Sequence, residues 1–257
     1  MKKTVFAVVL LVLVAGFSGS DEGPGSPPFL YVVEAEIEKP HIGMWTAAVR
    51  TLIGAHDAHP DGASWAVFRE LTGGPDVELM FFRGFSKMAE LDHWPSNRRV
   101  LVDVLGPVEG GSVKDVLERG IDSSDRVMSR VDELSNPWTS HDPPKYLWVA
   151  TVMVAEGKMT EYAALAKRVR QAFEEQATDL RWICYANAIG GDAAELTFLY
   201  GFDSFAQVDG WASRREVLAA FLGDRDGERL ASASEAITET TTSLWKLEPA
   251  LSRLSAE

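Results

Sequence analysis

Two glutamates occupy matched places in this chain and could carry acid–base chemistry. Glu78 and Glu195 are 117 residues apart, and each follows a Gly-Gly pair and begins an apolar segment. If the segment is a strand, Glu78 shares a face with Met80, Phe82 and Gly84. A carboxylate on an apolar face is desolvated, so its pKa rises and it can act as a base. The alternative is a strand-end glutamate that pairs with an arginine or reaches solvent.

Other residues could complete a ligand site around these glutamates. Glu34 and Glu36 share a face of one predicted strand, whereas the residues 117 positions later are Thr151 and Met153. Such asymmetry is expected of a pocket in one half of the chain, and equally of a solvated strand end. The predicted ligand-binding set is Glu34, Glu36, Arg69, Tyr185, Asn187, Trp65 and Trp182. Shared packing would also explain tryptophans at matched positions.

The histidines and the cysteine give little support for a metal site or a nucleophile. His56 and His59 are three residues apart, but zinc needs further ligands, so we interpret them as surface residues at a helix end. Cys184 lies between Ile183 and Tyr185, which predicts a buried, unreactive thiol. The chain contains no P-loop, dinucleotide fingerprint or CxxC motif. We predict no metal site.

The matched glutamates belong to a repeat that covers most of the chain. The segments VELMFFRGFSKMAELDHW at 77–94 and AELTFLYGFDSFAQVDGW at 194–211 align without a gap. The same shift of 117 residues places Trp65 on Trp182 and Leu134-Ser135 on Leu251-Ser252. Two copies are too few for a repeat array, so we predict a duplicated domain. Its copies span 29–135 and 145–257, with linkers at 21–28 and 136–144.

Each copy is predicted to have the element order β-α-β-β-α-β, the ferredoxin-like unit. Runs of β-branched and aromatic residues predict strands at 30–37, 64–71, 77–82 and 127–131, then at 146–154, 181–189, 195–200 and 243–247. Apolar residues at helical spacing predict helices at 42–55 and 160–176.

The predicted fold is α+β, with two ferredoxin-like repeats whose antiparallel sheets pack face to face into one pseudo-dimeric eight-stranded barrel. The unit covers one face of its sheet with helices, so the other face needs a partner. A second copy supplies that partner, which predicts a monomer. Eight strands enclose space for side chains or one small ligand.

The strand, Gly-Phe, helix and Trp pattern within this unit resembles the dimeric α+β-barrel superfamily. That superfamily includes antibiotic-biosynthesis-monooxygenase-like, NIPSNAP-like and stress-responsive barrel proteins. The resemblance covers essentially all of the predicted mature chain, but its members include enzymes, heme binders and proteins without known activity. Chlorite-dismutase-like relatives place a heme-binding histidine in the second unit. Here all five histidines precede residue 142, so the resemblance disfavours heme and we expect no cofactor.

Charge and the first residues bear on partners and location. The formal net charge of −13 makes nucleic acid an unsuitable partner. Lys2-Lys3, an apolar run at 5–17 and the small residues at 18–20 are typical of a secretory signal. We therefore predict a signal peptide at 1–20, a secreted or periplasmic protein, and no membrane association after cleavage. A retained anchor is the alternative, although the apolar run is short for a membrane span.

Three functional hypotheses follow. The first is an exported protein that binds a small apolar or aromatic molecule between the two sheets. The second is a cofactor-independent enzyme of monooxygenase or isomerase type, with Glu78 or Glu195 as the catalytic base. The third is a filled barrel that acts through its surface.

Overall fold

The computed structural model describes residues 26–72, 74, 76–119, 121–138, 142–176, 180–211, 217 and 235–254. The predicted signal peptide at 1–20, His141 and Gly73 lie outside the described residues. No helix within the described ranges combines the length and apolar character needed to cross a membrane.

The first half of the chain contains four strands, three α-helices and one 3₁₀ helix in its described part. In chain order they are β1 Phe29–Ile37, α1 Ile42–Ala58, β2 Ala66–Glu70, β3 Val77–Phe85, a 3₁₀ helix Met88–His93, α2 Asn97–Leu105, α3 Pro107–Glu118 and β4 Ile121–Arg130. The break between α2 and α3 falls at Gly106, where φ is 85° and Pro107 begins the next helix. Proline fits the first position of a helix because its missing N–H is not needed there.

The second half repeats the four strands and the first helix of this order, and its described part has one short helix between its third and fourth strands. After a 3₁₀ helix Asp132–Leu134 come β5 Tyr146–Val154, α4 Met159–Glu175, β6 Ile183–Ile189, β7 Glu195–Phe202, α5 Phe205–Asp209 and β8 Ile237–Leu247. The predicted Gly-Gly turn between β6 and β7 is present. Gly190 and Gly191 have φ values of 73° and 69°, a conformation that glycine adopts without strain.

All the strand pairs are antiparallel and the strand order closes on itself. The order β4-β1-β3-β2 in the first half matches β8-β5-β7-β6 in the second, and β2–β8 and β4–β6 pairs join the halves into a closed barrel. The predicted α+β class with eight antiparallel strands is confirmed. The two four-stranded halves also pair along their edge strands, which satisfies the free N–H and C=O groups of those edges.

Apolar side chains fill both sides of the strands. The barrel interior buries residues from both halves, among them Leu30, Phe82, Leu147 and Leu199. Outside the barrel, α1 packs against β3, where the Trp45 and Phe81 rings meet at 5.9 Å. Helix α4 covers the outer side of the second half in the same way.

A Leu-Ser segment at the end of each half is held by the other half. The Leu134 carbonyl accepts a hydrogen bond from Trp182 Nε1 at 2.7 Å, and Ser135 Oγ accepts one from the Cys184 N–H at 3.0 Å. In the matched contact, the Leu251 carbonyl accepts from Trp65 Nε1 at 3.0 Å. Ser252 Oγ accepts from the Val67 N–H at 2.9 Å. The two halves therefore hold each other by reciprocal contacts as well as by strand pairing.

Candidate functional site

The two ends of the barrel have different chemistry. One end contains a cavity of about 440 Å³, here the acidic cavity, whose lining includes Glu34, Glu36, Glu78, Asp122 and Arg126. The other end contains a cavity of about 470 Å³, here the apolar cavity, lined mainly by aliphatic and aromatic side chains. Strand alternation explains the separation, since along one face of β3 the order is Glu78, Met80, Phe82 and Gly84.

Three carboxyl groups of the acidic cavity lie side by side, and a fourth, that of Glu70, continues the row beside the cavity lining. Asp122 on β4 is opposite Glu36 on β1, and Glu36 is opposite Glu78 on β3. The Arg69–Leu79 pair of β2 and β3 places Glu70 opposite Glu78 at the next register step. Like charges at directly opposite positions repel, and Glu78 lies within this row with a carboxyl group on either side.

Glu78 has the environment that an inward-facing base requires. Burial raises its pKa above the ordinary value, and a hydrogen bond with the Glu70 carboxyl and the repulsion between the two groups raise it further. No ion pair found among the described residues involves Glu78. A hydrogen-bonded pair of carboxyl groups at a cavity can accept a proton and return it.

Glu195, in the matched position, has a different environment. Arg126 on β4 donates from Nη1 to Glu195 Oε1 at 2.8 Å and from Nη2 to Glu34 Oε1 at 2.6 Å. The side chains of Arg126 and Glu195 are only 18% and 15% exposed. Asn187 Nδ2 lies 3.4 Å from the same Glu195 oxygen. Glu195 is therefore held in an ion pair, which is the alternative that the sequence left open for a strand-end glutamate.

The predicted site residues do not come together in one place. Glu34, Glu36 and Glu78 line the acidic cavity, and Asn187 lies beside Glu195 near it. Trp65 and Tyr185 line the apolar cavity. For these residues the predicted roles in binding or catalysis stay predictions.

Arg69 and Trp182 lie away from both cavities. Arg69 is exposed, because it alternates with the inward-facing Phe68 along β2. Trp182 is buried between the strands and α4, with its ring 5.4 Å from that of Phe173. Their positions do not fit the predicted ligand-binding roles, and Trp182 instead provides the shared packing that matched tryptophans also suggested.

The sequence-based set omitted Glu70, Asp122 and Arg126. Arg126 was missed because the closing strand was predicted to begin at residue 127, whereas β4 begins at Ile121. Asp122 lies in the same unpredicted part of β4, whose first residues are polar and exposed. Glu70 could have been found, since the hairpin register that follows from the turn places it opposite Glu78.

His56 and His93 are not placed as ligands for a metal ion or heme iron. His56 Nδ1 accepts a hydrogen bond from the Ala63 N–H at 3.1 Å, and Nε2 lies 3.2 Å from Asn97 Oδ1. His56 is buried, so its interpretation as a surface residue was wrong, and burial lowers its pKa, which keeps the ring neutral. His93 is exposed on its 3₁₀ helix. The second half contains no histidine that could bind heme iron. No group of three metal-binding side chains occurs within the described ranges.

Cys184 is buried and its thiol pKa is raised by desolvation. A thiol in such surroundings remains protonated and is a poor nucleophile.

Neither a protein-family model nor a curated protein sequence matches the chain. Solved structures do share its fold. A monooxygenase-like protein of Lactobacillus acidophilus aligns with 86% of this chain and 94% of its own, at a TM-score of 0.50 and 7% identity. A monooxygenase-like protein of Fusobacterium nucleatum aligns with 86% of this chain and 93% of its own, at a TM-score of 0.50 and 9% identity.

A variant of chlorite dismutase from Candidatus Nitrospira defluvii aligns with 86% of this chain and 92% of its own. The TM-score is 0.50 and the identity 13%. These proteins have the dimeric α+β-barrel fold, so the fold expected from the sequence resemblance is confirmed. Identity at this level shows the fold alone, and one fold hosts many unrelated functions.

Proposed function

We propose that this protein is an exported barrel that binds a small aromatic or apolar molecule in the acidic cavity and transfers a proton on it through Glu78. The observation that carries the proposal is Glu78 in the lining of a cavity of about 440 Å³, directly opposite Glu70 in the register of β2 and β3. Small-molecule sites commonly enclose about 300–1,000 Å³, with an apolar surface and a few polar groups.

The cavity supplies both kinds of contact. Met80, Val149 and Trp245 form apolar surface beside the carboxyl row. An aromatic body resting on these side chains would place an acidic C–H or O–H bond within reach of Glu78.

The proposed step needs no further reactant. Glu78 takes a proton from a C–H bond, the electron pair stays on the molecule as an enolate-type anion, and the proton returns to another carbon. Glu70 positions the Glu78 carboxyl through their hydrogen bond. In the monooxygenase-type alternative, the same anion reacts with dioxygen. Consumption of dissolved oxygen would identify this reaction. The proposal involves no heme, for which the histidines are unsuited.

The test uses 2-tetralone, an aromatic ketone with acidic C–H bonds, and follows exchange of its hydrogens for deuterium by NMR. We expect catalysed exchange that rises with pH through the raised pKa of Glu78, because the base must be ionised. A general base contributes about 10²–10⁴-fold, so Glu78→Gln should remove most of the catalysis. Glu38→Gln, an exposed position outside the cavity lining, should have no effect.

The Glu78→Gln variant, which should lose catalysis, should gain stability. A raised folded-state pKa stabilises the protein below the ordinary value of 4.5, and that stabilisation is lost as pH rises through the folded pKa. Glu78→Gln should therefore stabilise the fold at pH 7, by about 0–1 kcal/mol because the site is partly exposed. Tetralone binding without exchange would refute the catalytic step and leave a binding protein. Exchange equal in Glu78→Gln and the parent would remove Glu78 as the base.

We also propose that the chain is a fused duplicate that works as a monomer outside the cytoplasm. Identical spacing supports duplication, since β1 and β5, like α1 and α4, span residues 117 apart with equal lengths. The signal-like first residues support export, and N-terminal sequencing of the exported chain should begin after Ser20.

A further inference from the structure

The apolar cavity takes no part in the proposed reaction, and it carries an inference of its own. Its walls come from both halves, with Leu30, Phe68 and Phe82 from the first and Leu147, Ile183 and Leu199 from the second. All six side chains are buried in the barrel interior. We propose that this cavity is a separate binding site for a neutral aromatic molecule.

The polar groups around the cavity explain why the ligand is neutral. The Tyr185 hydroxyl donates to the Pro27 carbonyl at 3.0 Å, and Trp65 Nε1 donates to the Leu251 carbonyl. Arg253 donates to Asp57 Oδ1 at 2.7 Å and to the Ala63 carbonyl at 2.6 Å. Asp142, the carboxylate of the lining, is exposed. A charged ligand would lose its hydration here without gaining a free partner of opposite charge.

The rim of the cavity is built by the same contact in both halves. Pro27, just before β1, covers Gly84, and Pro144, just before β5, covers Gly201. A Cβ on Gly84 would lie 2.6 Å from Pro27 Cγ, and one on Gly201 would lie 2.8 Å from Pro144 Cγ. Trp138 also closes on Gly201, where its Cζ3 would be 3.2 Å from that Cβ. These close contacts require glycine and fix the shape of the opening, so the cavity is preorganised for a ligand.

Aromatic side chains favour a flat ring as the occupant. Phe68 and Phe82 meet edge to face at 5.7 Å on one wall, and Trp65 and Trp138 lie at the opening. Aromatic rings bury large apolar areas and pack well against each other in offset or edge-to-face arrangements. Tyr185 and Arg253 are held in hydrogen bonds to the protein, so the role that we propose for this site is binding.

The test uses N-phenyl-1-naphthylamine, a neutral dye whose fluorescence rises in apolar surroundings, with the full-length protein. We expect saturable binding. The anionic 8-anilino-1-naphthalenesulfonate, which adds a sulfonate to the same rings, should bind at least about tenfold more weakly because the cavity cannot pair its charge.

Variants that fill one cavity or the other with a larger side chain show where the dye binds. Ala66 lines the apolar cavity opposite Phe82, so Ala66→Val and Ala66→Phe should weaken binding in that order, by about tenfold or more for the larger residue. Thr151→Phe fills the acidic cavity instead and should leave the affinity within about twofold. Circular dichroism checks each fold, and Ala66→Val suffices if Ala66→Phe does not fold.

Loss of the dye in Thr151→Phe with retention in the Ala66 variants would overturn the proposal, and so would equal affinity for the sulfonate. Binding that is unchanged in every variant would place the dye on the surface and would also overturn the proposal. Glu78→Gln should retain the dye, so failure of the proposed catalysis and failure of this site are separate results.

Discussion

Arg126 shows how a few residues make the two halves of the barrel unequal. It binds Glu195 and Glu34, while the matched position in the second half is Ser243, which accepts a hydrogen bond from Trp245 Nε1 at 2.6 Å. Beside Glu78, the place that Asn187 has beside Glu195 is taken by Glu70, 117 residues earlier. The departures from the repeat therefore lie around the acidic cavity. One glutamate is held as an ion, and the other is pushed towards protonation.

This difference predicts the consequence of removing the cation. Arg126→Met should destabilise the protein by about 1–3 kcal/mol, because it leaves the poorly exposed Glu195 carboxylate without its ion-pair partner. The estimate lies below the range for fully buried pairs, since water still reaches part of the site. Urea unfolding followed by fluorescence measures the change.

A double variant separates loss of the pair from loss of packing. Arg126→Met with Glu195→Gln should be more stable than Arg126→Met alone, because the uncompensated charge is gone. Glu34→Gln alone should cost about 0–1 kcal/mol, since Glu34 is 42% exposed. A double variant no more stable than the single one would show that Arg126 acts through its packing instead.

At the scale of helices and strands, apolar periodicity was the reliable guide. It predicted a strand at 146–154, and β5 is Tyr146–Val154. It did not decide which face of β3 turns inward, because both faces are apolar; in the structure the side chains that alternate with Leu79 and Phe81 fill the barrel. Such patterns record which residues are buried, so they identify elements wherever burial decides the residue type.

The polar ends of β4 and β8 show where apolar periodicity fails to predict a strand. Both strands begin six residues earlier than predicted, at Ile121 and Ile237, and their first parts are largely polar and exposed. They are strands because their backbones pair with β1 and β5. Backbone pairing leaves no apolar pattern in a sequence. Asp122 and Arg126 fall in this part of β4, which is why the β4 side of the acidic cavity was not predicted.

The contact between Arg126 and Glu195 could not be predicted for a further reason. It joins β4 to β7, which are separated in the barrel by β6. Only the register of two strand pairs, one with a bulge between Val127 and Met128, brings the side chains together. No local pattern in either segment specifies such a relation.

At the scale of the whole molecule, neither half can bury its inner apolar side chains or pair its edge strands by itself. Separation would expose the inner apolar side chains and leave the edges of β2 and β4 unpaired. It would also leave Trp65 Nε1 without the Leu251 carbonyl that accepts its hydrogen bond. Exposed strand edges and apolar faces lead to association with another chain. The closed barrel removes both.

The first half alone contains a segment that can replace the contacts it loses when the second half is absent. Residues 21–135 end in Leu134-Ser135, which occupies in the first half the place that Leu251-Ser252 has in the second. In a pair of first halves, each Leu-Ser segment could accept the hydrogen bonds of the other copy's Trp65 and Val67, as Leu251-Ser252 does in the full chain. We therefore expect this fragment to form a homodimer or to aggregate, and the full chain to be a monomer, by light scattering during gel filtration. A fragment that ends at residue 131 lacks the segment and should dimerise more weakly. A soluble, cooperatively unfolding monomer of 21–135 would contradict this account of why the chain carries two copies.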